Sequence, residues 1–476
     1  MREDGYFLDL FKVTRRDMET VTAAAMSGGA SYADLYFEQT VYRNLVLRDG
    51  DVSSGGFHID YGVGIRALDG EKTGYSYCET TRMGDMLRAA RAAASIGGGK
   101  CSPTGVAAGL QTAAPVPAND FYPGTEGWEH PDVSAICSFL KRLGMAIESR
   151  DGRISKTVAA FSASDSSVMM FNSLGELCTD TRPMCSISAM IVFSDGRTSD
   201  SRSTSLSFRK GPEMLADDLV RDIAEHLCSG IDNCLAAGRP KGGKMPVVMG
   251  AGASGILLHE AMGHAFEADF NRKGQSVFCG KMGRKICSSE INIVDDATVE
   301  FNRGACNFDD EGVPGQKTYM VKDGILNSYL HDRISASHFS VMPTGNGRRE
   351  SFRFYPIPRM RLTYMENGRC SAADIISSVK KGIYVDEFSN GQVNIGQGDF
   401  TFFVKSGFLI ESGRLTRPVK DINVIGNGPR ALEDITAVGD DLKISNGRWT
   451  CGKDQSVPVG CGMPTVLVRE LNVGGE

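Results

Sequence analysis

The sequence lacks the features that mark a membrane-spanning or a disulfide-rich secreted protein. It has no run of about 18 apolar residues, and its first segment, MREDGYFLDLFKVTRRDMET, contains acids and no apolar core of a signal peptide. Its 13 cysteines are odd in number and irregularly spaced, with no Cys-x-x-Cys pair. Scattered thiols of this kind are typical of buried side chains in a reducing compartment. We therefore expect a cytoplasmic protein without a membrane segment.

An excess of positive charge is also missing. The chain has 52 Lys and Arg against 58 Asp and Glu, a formal net charge of -6. Because phosphate backbones are bound by clustered Lys and Arg, this balance argues against direct nucleic-acid binding. The length of 476 residues predicts two or three domains, at about 100–200 residues each.

The first 235 residues alternate helix-like and strand-like blocks. Hydrophobic periodicity predicts helices at 17–25, 83–96, 132–149 and 213–228. Segments rich in β-formers predict strands at 32–39, 43–47, 61–68 and across 155–195. The Asp-Gly pair at 49–50 is typical of a hairpin turn. This half is predicted to be an α/β domain with a mixed sheet and helices.

The segment AAGRPKGGK, residues 236–244, has no periodicity and is typical of an interdomain linker. The apolar residues 245–249 then predict a short buried strand, followed by a helix. From residue 291 onward, strand-like segments alternate with glycine turns, which predicts mainly antiparallel, barrel-like sheet. The sequence thus predicts an α+β protein with an N-terminal domain over 1–235 and a β-rich domain over 245–476.

The helix predicted in the second half carries the segment HEAMGH, with His259, Glu260 and His264. Neutral imidazoles are common zinc ligands, and a catalytic zinc site has three protein ligands and one open position. A carboxylate beside the metal can accept the proton of an attacking water and pass it to the leaving amine. The pattern predicts a zinc-dependent peptidase, with the histidines as ligands and Glu260 as general base.

The spacing of the two histidines is unusual. They lie five residues apart, whereas the common zincin pattern H-E-x-x-H separates them by four. On a regular helix a separation of five splays the side chains by about 140°, against about 40° for four. Gly263 tolerates dihedral angles that would allow a corrective π-type bulge. We therefore expect an irregular helix near Gly263; the alternative is an ordinary exposed histidine pair near a helix end.

The spacing does not select the third ligand. The chemically suitable candidates are Glu267, Asp269, Cys279, Cys306, His331, His338 and Cys451. Cys451 lies in the glycine-rich segment RWTCGKDQSVPVG, which is typical of an exposed loop and slightly favours it over the others.

Several long blocks resemble the TldD/PmbA family of bacterial and archaeal metallopeptidases, and the TldD branch more closely. They are HEAMGHAFEADFNRKGQSVF (259–278), VDDATVEFNRGACNFDDEG (294–312), PTGNGRRESFRFYPIPRM (343–360), NGQVNIGQGDF (390–400) and WTCGKDQSVPVGCGMPTVLV (449–468). The likeness covers the whole second half and continues more weakly through ADLYFEQ (33–39) and YGVGIRALDGEKTGYSY (61–77).

The resemblance implies an H-E-x-x-x-H zinc site, with His259 and His264 as ligands, Glu260 as base and Cys451 as third ligand. It also implies an N-terminal α/β domain, a β-rich C-terminal domain and a dimer that encloses the active sites. Members of the TldD branch pair with a PmbA-type (TldE) partner, which lacks the metal motif, and degrade unfolded peptides. A label that links the family to DNA gyrase gains no support from the acidic composition.

Other segments have competing interpretations. TGNGRRESFRF contains Gly-x-Gly, but no strand typical of a nucleotide-binding fold precedes it. Arg348 and Arg349 could position substrate, although a buried ionic network is favoured. Residues 309–312, DDEG, lack the ligand series of a calcium loop, which favours a hydrogen-bonded turn. Glu267 and Asp269 could orient the metal-bound imidazoles.

The sequence therefore favours a cytoplasmic zinc peptidase for unfolded peptides, acting as a homodimer or with a PmbA/TldE-type subunit. Such a peptide would add as a strand to an exposed sheet edge inside a closed cavity. One alternative is a non-catalytic peptide-binding or regulatory subunit with a vestigial site. Another is a metal-dependent hydrolase of a different bond, such as an amide in a small molecule.

Overall fold

The computed structural model describes residues 4–95, 120–125, 127–128, 132–394 and 396–475. Its helices are α1 (Asp4–Phe11), α2 (Arg15–Met26), α3 (Met83–Ala94), α4 (Val133–Glu148), α5 (Asp217–Cys228), α6 (Ile231–Ala236), α7 (Gly255–Ala261), α8 (Ala268–Arg272), α9 (Arg333–Phe339), α10 (Ala372–Ser378) and α11 (Gly428–Glu433). Short 3-10 turns cover Pro212–Met214 and Gly263–Phe266.

The strands of the first half are β1 (Tyr32–Arg48), β2 (Asp51–Asp69), β3 (Lys72–Cys78), β4 (Ile154–Asn172), β5 (Leu177–Ser194) and β6 (Ser199–Phe208). Those of the second half are β7 (Gly243–Met249), β8 (Ile293–Asp296), β9 (Lys317–Lys322), β10 (Ile325–Leu326), β11 (Gly347–Arg348), β12 (Ile357–Pro358), β13 (Leu362–Met365), β14 (Lys381–Val393), β15 (Asp399–Glu411), β16 (Arg414–Val419), β17 (Ile422–Asn427), β18 (Ile435–Val438), β19 (Lys443–Lys453), β20 (Gln455–Met463) and β21 (Val466–Gly474).

Local sequence signals explain the elements of the first half. The side chain of Thr14 accepts a hydrogen bond from the backbone of Asp17, whose carboxylate accepts one in return, and this capping box starts α2. The carboxylate of Asp132 caps α4 by accepting hydrogen bonds from the backbone of Ser134 and Ala135. Asp49 and Gly50 both have positive φ angles, of 49° and 86°, and form the predicted hairpin turn between β1 and β2. The last predicted helix begins later than expected, at Asp217, because a 3-10 turn precedes it.

A single twelve-stranded sheet joins the two halves of the chain. Its order is β10-β9-β8-β13-β20-β19-β6-β5-β4-β1-β2-β3. The pairs among β1–β6 are antiparallel, whereas β13 and β20 run parallel, so the sheet is mixed. The junction between β6 and β19 consists of one residue pair, Leu206 with Gly447. Strands from the N-terminal half and from the C-terminal half therefore share one sheet.

Five strands of the second half close into a barrel. Their order is β14-β7-β21-β17-β15, and pairing of β15 with β14 completes the circuit. The predicted buried strand is the end of β7, where Val247, Val248 and Met249 are fully buried. Closure satisfies both edges of every barrel strand, as expected for a small barrel. The α+β class and the barrel-like second half are confirmed.

The largest apolar core surrounds the segment that carries the predicted motif. It packs the barrel strands against α7 and against the ends of β19 and β20. Separate cores lie beneath α4 and α5, and beneath α1 to α3. Gly238 pairs with Val419, and β7 begins at Gly243, so both ends of the predicted linker contact the second half. No helix among the described residues is long and apolar enough to cross a membrane.

Candidate active site

The helix α7 brings His259 to the centre of the second half. It follows directly from the barrel strand β7 and packs closely against β20. A Cβ atom on Gly255 would lie 2.7 Å from the backbone of Gly462, so only glycine permits this approach. The close packing buries His259 completely in the last turn of α7.

The helix breaks between the two histidines, as the motif predicts. The α-helix ends at Ala261, Met262 has φ -131° and ψ -42°, and a 3-10 turn starts at Gly263. The expected irregularity is confirmed, but its form differs from the π-type bulge, because the α-helix stops and a tighter turn follows. This turn directs His264 toward His259, and the centroids of the two rings lie 5.2 Å apart.

Cys451 completes a cluster with the two histidines. The nearest ligand atoms of His259, His264 and Cys451 all lie within 4.8 Å of one another, and the three residues are buried. The expectation of an exposed loop around Cys451 is wrong. The residue lies in strand β19 with 1% exposure, between the exposed Thr450 and Gly452, because alternate side chains of a strand point to opposite faces.

The donor set fits a tetrahedral metal ion. Among the described residues, neither ring nitrogen of His259 has a hydrogen-bond partner, although the ring is fully buried. Buried polar atoms without partners are rare and costly, which points to a ligand. The Cys451 sulfur lies 3.3 Å from Nε2 of His264. Zinc at ordinary bond lengths would separate a nitrogen and a sulfur ligand by about 3.5 Å.

Electrostatics in the cluster favour the ligand form of the thiol. Burial alone would raise the pKa of Cys451, but His259 and His264 outweigh it and lower the pKa to about 4. Burial opposes protonation of His264, whereas Glu267 and Cys451 raise its pKa to about 10. The thiolate is the form of cysteine that binds metals.

Glu260 lies at the open side of the cluster. Its carboxylate Oε2 is 3.8 Å from Nε2 of His264, and its side chain keeps 24% exposure while the histidine ring is nearly inaccessible. The carboxylate thus lies between solvent and the cluster. A group in this position can exchange a proton with a water molecule held at the cluster.

A buried ionic network contacts the Nδ1 atom of His264 and holds its ring in place. Nδ1 of His264 lies 2.9 Å from Oε2 of Glu267, whose carboxylate also accepts a hydrogen bond from Lys453 Nζ at 3.0 Å. Lys453 donates a second hydrogen bond to Asp269 at 2.8 Å, and Nε of Arg359 lies 3.9 Å from Glu267. Burial would raise the pKa of Glu267, but Lys453 and His264 hold it far below its ordinary range. Glu267 therefore stays ionised.

Lys453 and Arg359 were not predicted from the sequence. Lys453 follows Cys451 by two residues in the same strand, so period-two alternation could have placed both on one face. Arg359 donates a hydrogen bond to the carbonyl oxygen of Cys451 at 2.6 Å, across 92 residues of sequence. No local pattern signals that contact.

The other candidate ligands lie elsewhere. Cys279 is exposed and bonds to the carbonyl of Asn271, and His338 pairs with Glu71. His331 packs against aromatic rings, and the described residues contain no other cluster of three metal-binding side chains. The remaining candidate outside the network above is the buried thiol of Cys306.

The arginine pair and the acidic turn make buried contacts with other parts of the chain. Both Arg348 and Arg349 are buried; Arg348 donates to the carbonyls of Met360 and Pro458, and Arg349 lies over the ring of Tyr36. In the segment 309–312, Asp309 accepts hydrogen bonds from the backbone of Glu311 and Val313. The segment is therefore a hydrogen-bonded turn, as the sequence favours.

Replacing Gly263 by alanine is expected to lower the free energy of unfolding by about 1–3 kcal/mol, the usual cost of overpacking. The added Cβ would lie 2.1 Å from the sulfur of the buried Met360. Chemical denaturation of the full chain measures the change. Gly144→Ala in α4 is the control, because its added Cβ meets nothing within 4 Å and should stabilise the helix slightly. Equal stability of both variants would contradict the packing argument.

Comparison with known proteins gives this centre its context. Three family models match the chain: PmbA/TldA metallopeptidase domain 1 over residues 33–97, the central domain over 126–229 and the C-terminal domain over 242–475. A buried His-His-Cys cluster beside a glutamate, within a C-terminal metallopeptidase domain, defines a candidate metallopeptidase centre. The chain belongs to the PmbA/TldD family of metallopeptidases.

Individual relatives agree with this assignment. The metalloprotease TldD homolog of Haemophilus influenzae is 38% identical over 455 residues, covering 93% of each chain. The homolog of Buchnera aphidicola from Acyrthosiphon pisum is 34% identical and covers 98% of each chain. A Saccharolobus solfataricus protein, named a zinc metalloprotease TldD homolog, is 31% identical over 61% of this chain and 65% of its own length.

Solved structures share the fold. A crystal structure from Thermotoga maritima, of a protein whose name links it to modulation of DNA gyrase, superimposes with a TM-score of 0.76. The alignment covers 96% of this chain and 99% of that one at 22% identity. At this identity the likeness shows the common architecture alone.

Proposed function

We propose that the chain is a zinc-dependent peptidase that hydrolyses unfolded peptides, with Glu260 as general base. The observation that carries the proposal is the buried cluster of His259, His264 and Cys451, in which His259 has no hydrogen-bond partner among the described residues. The family assignment supports a metal-dependent peptidase, and the proposal adds the ion, the substrate class and the residue roles.

Zinc suits the donor set. Two imidazoles and a thiolate are ligands that zinc accepts in tetrahedral catalytic sites, whereas magnesium and calcium prefer oxygen. The name of the Saccharolobus solfataricus relative agrees with this choice. When bound, zinc would polarise the scissile carbonyl and lower the pKa of a water molecule.

Different side chains would control the protonation of His264 and the proton transfer from water. Glu267 would accept a hydrogen bond from Nδ1 of His264, which would leave the lone pair of Nε2 to bind the ion. Lys453 keeps Glu267 charged and therefore holds this orientation. Glu260 is a partly exposed carboxylate of the centre, and its Oε2 would take a proton from the attacking water and deliver it to the leaving amine.

The burial of the centre favours an unfolded substrate. The three proposed ligands are buried, so a scissile bond must enter as an extended, unpaired backbone and not on the surface of a folded domain. Addition of the peptide as a strand to an open sheet edge would supply hydrogen bonds without sequence preference. We propose this mode of binding for the substrate.

We also propose a dimer, formed with a second copy or with a PmbA/TldE-type subunit. Residues 51–62 of β2, next to the hairpin turn, have no partner strand on the side away from β1 among the described residues. This part of β2 exposes Val52, Phe57 and Ile59, each by at least half. Exposed apolar side chains on an open strand edge are typical of a protein contact. The free thiols of the described cysteines support a reducing, cytoplasmic location.

The proposal is tested by hydrolysis of one peptide sequence in two states. The zinc-loaded full chain is incubated with a flexible peptide and with the same sequence held inside a stable folded domain. We expect cleavage of the flexible form to be at least about 100-fold faster, because at most about 1% of the folded domain is open. Binding of the flexible peptide without cleavage would favour a non-catalytic subunit. Cleavage confined to small-molecule amides would favour a different hydrolase.

A further inference from the structure

A cavity of about 460 Å³ lies apart from the metal cluster. Its floor is one face of the long sheet, and its other wall comes from the second half of the chain. Ser162, Ser164 and Ser166 of β4 point into it on alternate positions, and Ser186 of β5 lies opposite Ser162. The floor therefore offers a row of serine hydroxyl groups, of which Ser186 already donates a hydrogen bond to Ser207.

The walls carry a large excess of positive charge. The cavity lining includes eight arginines and three acidic residues. One of the acids, Asp310, is already paired with Arg182 at 2.5 Å. Buried charges are normally paired, and the carboxylates in the lining are too few to pair with all of these arginines.

Five of the arginines have no ion pair with a carboxylate within the described ranges: Arg209, Arg303, Arg348, Arg361 and Arg448. The first three are buried, with exposures of 5%, 8% and 4%. Their hydrogen bonds go to neutral groups. Arg209 donates to the carbonyl of Pro183, and Arg303 donates to the carbonyl of Trp449 and the hydroxyl of Ser207.

The surroundings of the arginines favour an anion at this place. The Nε atom of Arg209 is buried and has no hydrogen-bond partner among the described residues. Burial, together with repulsion from Arg448 and Arg209, lowers the pKa of Arg303 to about 9. Burial and the nearby charge of Arg361 also lower the pKa of Arg348. Bringing these cations together without a counter-charge is costly, and a bound anion would remove that cost.

The cavity is separate from the proposed peptidase centre. The cavity lining does not include His259, His264 or Cys451, and Arg448 lies at an irregularity of β19 between Ser445 and Trp449. Cys451 faces the buried cluster, whereas Arg448 is exposed at the cavity. A ligand in the cavity would therefore not contact the proposed metal ligands.

We propose that this cavity binds a small phosphorylated ligand, whose phosphate group lies among Arg209, Arg303, Arg348 and Arg448. Guanidinium groups match phosphate oxygens through paired hydrogen bonds, and serine hydroxyls complete the shell of a tetrahedral oxyanion. The volume lies within the range of pockets that hold small organic ligands. The ligand class is a phosphate monoester or polyphosphate.

The test measures binding to the zinc-loaded full chain by calorimetry. The probes are inorganic phosphate, pyrophosphate and glycerol phosphate, with succinate and chloride at matched ionic strength. We expect saturable binding of at least one phosphate probe at one site per chain. Tighter binding of glycerol phosphate than of inorganic phosphate would identify an ester ligand, and the reverse order would identify a free phosphate or polyphosphate.

Variants of exposed arginines avoid the folding problem that buried ones present. Arg448→Glu should weaken phosphate binding by at least about 30-fold, because it removes one charge-assisted contact and adds repulsion. Arg414→Glu, an exposed arginine in β16 outside the cavity, should change it by less than about twofold. Equal losses in both variants, equal binding of succinate, or no binding of any phosphate probe would overturn the proposal.

Discussion

Replacing Glu260 by glutamine is expected to slow peptide hydrolysis by about 10²–10⁴-fold, the usual contribution of a positioned general base. Glutamine keeps the size and hydrogen-bonding shape of the side chain but cannot accept the proton of the attacking water. The carboxylate is partly exposed, unlike the buried histidines and cysteine, and its Oε2 lies 3.8 Å from Nε2 of His264. The loss should therefore appear in kcat, with little change in substrate affinity.

The measurement compares kcat and bound zinc in the same preparation. Zinc content should remain at one equivalent, because Glu260 is not among the three proposed ligands. Glu290→Gln provides the matched control, since Glu290 is exposed and lies outside the centre. A Glu260→Gln variant as active as the control would exclude Glu260 as the base.

The second large effect is expected from Cys451→Ser. A neutral hydroxyl replaces a buried thiolate, and we expect zinc affinity to fall by more than about 100-fold. Loss of a residue that only orients a metal ligand already lowers metal affinity by about 10–100-fold. Loss of a direct ligand should lower it further. Burial should make the defect severe, because Cys451 is only 1% exposed.

Zinc content after dialysis, measured on folded protein, gives the result. If the substitution lowers zinc affinity 100-fold, Cys451→Ser should retain less than about a tenth of an equivalent of zinc. Cys279→Ser is the control, because Cys279 is exposed and lies outside the cluster. Retention of a full equivalent by Cys451→Ser would assign the third ligand to another residue.

Hydrophobic periodicity along the sequence predicts much of the secondary structure in the first half of the chain. The helices α3 and α4 begin and end within two residues of the predicted positions, because apolar residues recur at the helical period. The β1–β2 hairpin followed from the Asp-Gly pair at its turn. The strands are longer than predicted because neighbouring strands of the sheet extend their pairing beyond the segments of high β-propensity.

Long-range pairing was beyond the reach of these patterns. Nothing local indicates that Leu206 pairs with Gly447, so the sheet shared by the two halves could not be predicted. For the same reason the contact of Arg359 with the Cys451 carbonyl was missed. The exposure of Cys451 was predicted wrongly because its neighbours are small or polar. In a strand, polar neighbours are compatible with a buried residue between them.

The irregular motif was the most informative local feature of the centre. Histidines five residues apart require a break in the helix, and the structure has that break between Ala261 and Gly263. The third member of the cluster needed the family resemblance, since spacing left several candidates open. The sequence alone supports only a general expectation for Glu267 and Asp269; in the structure, Lys453 lies between them and donates a hydrogen bond to each.

The distance along the chain between the members of the cluster has a consequence for biosynthesis. Cys451 contacts His264 across 187 residues, and its strand β19 is held between β6 and β20. While the chain is being synthesised, the histidines and Glu260 emerge well before the sulfur that completes their cluster. A nascent or prematurely ended chain therefore carries the motif without the complete centre. This order of assembly would keep a partly made peptidase inactive beside unfolded nascent chains.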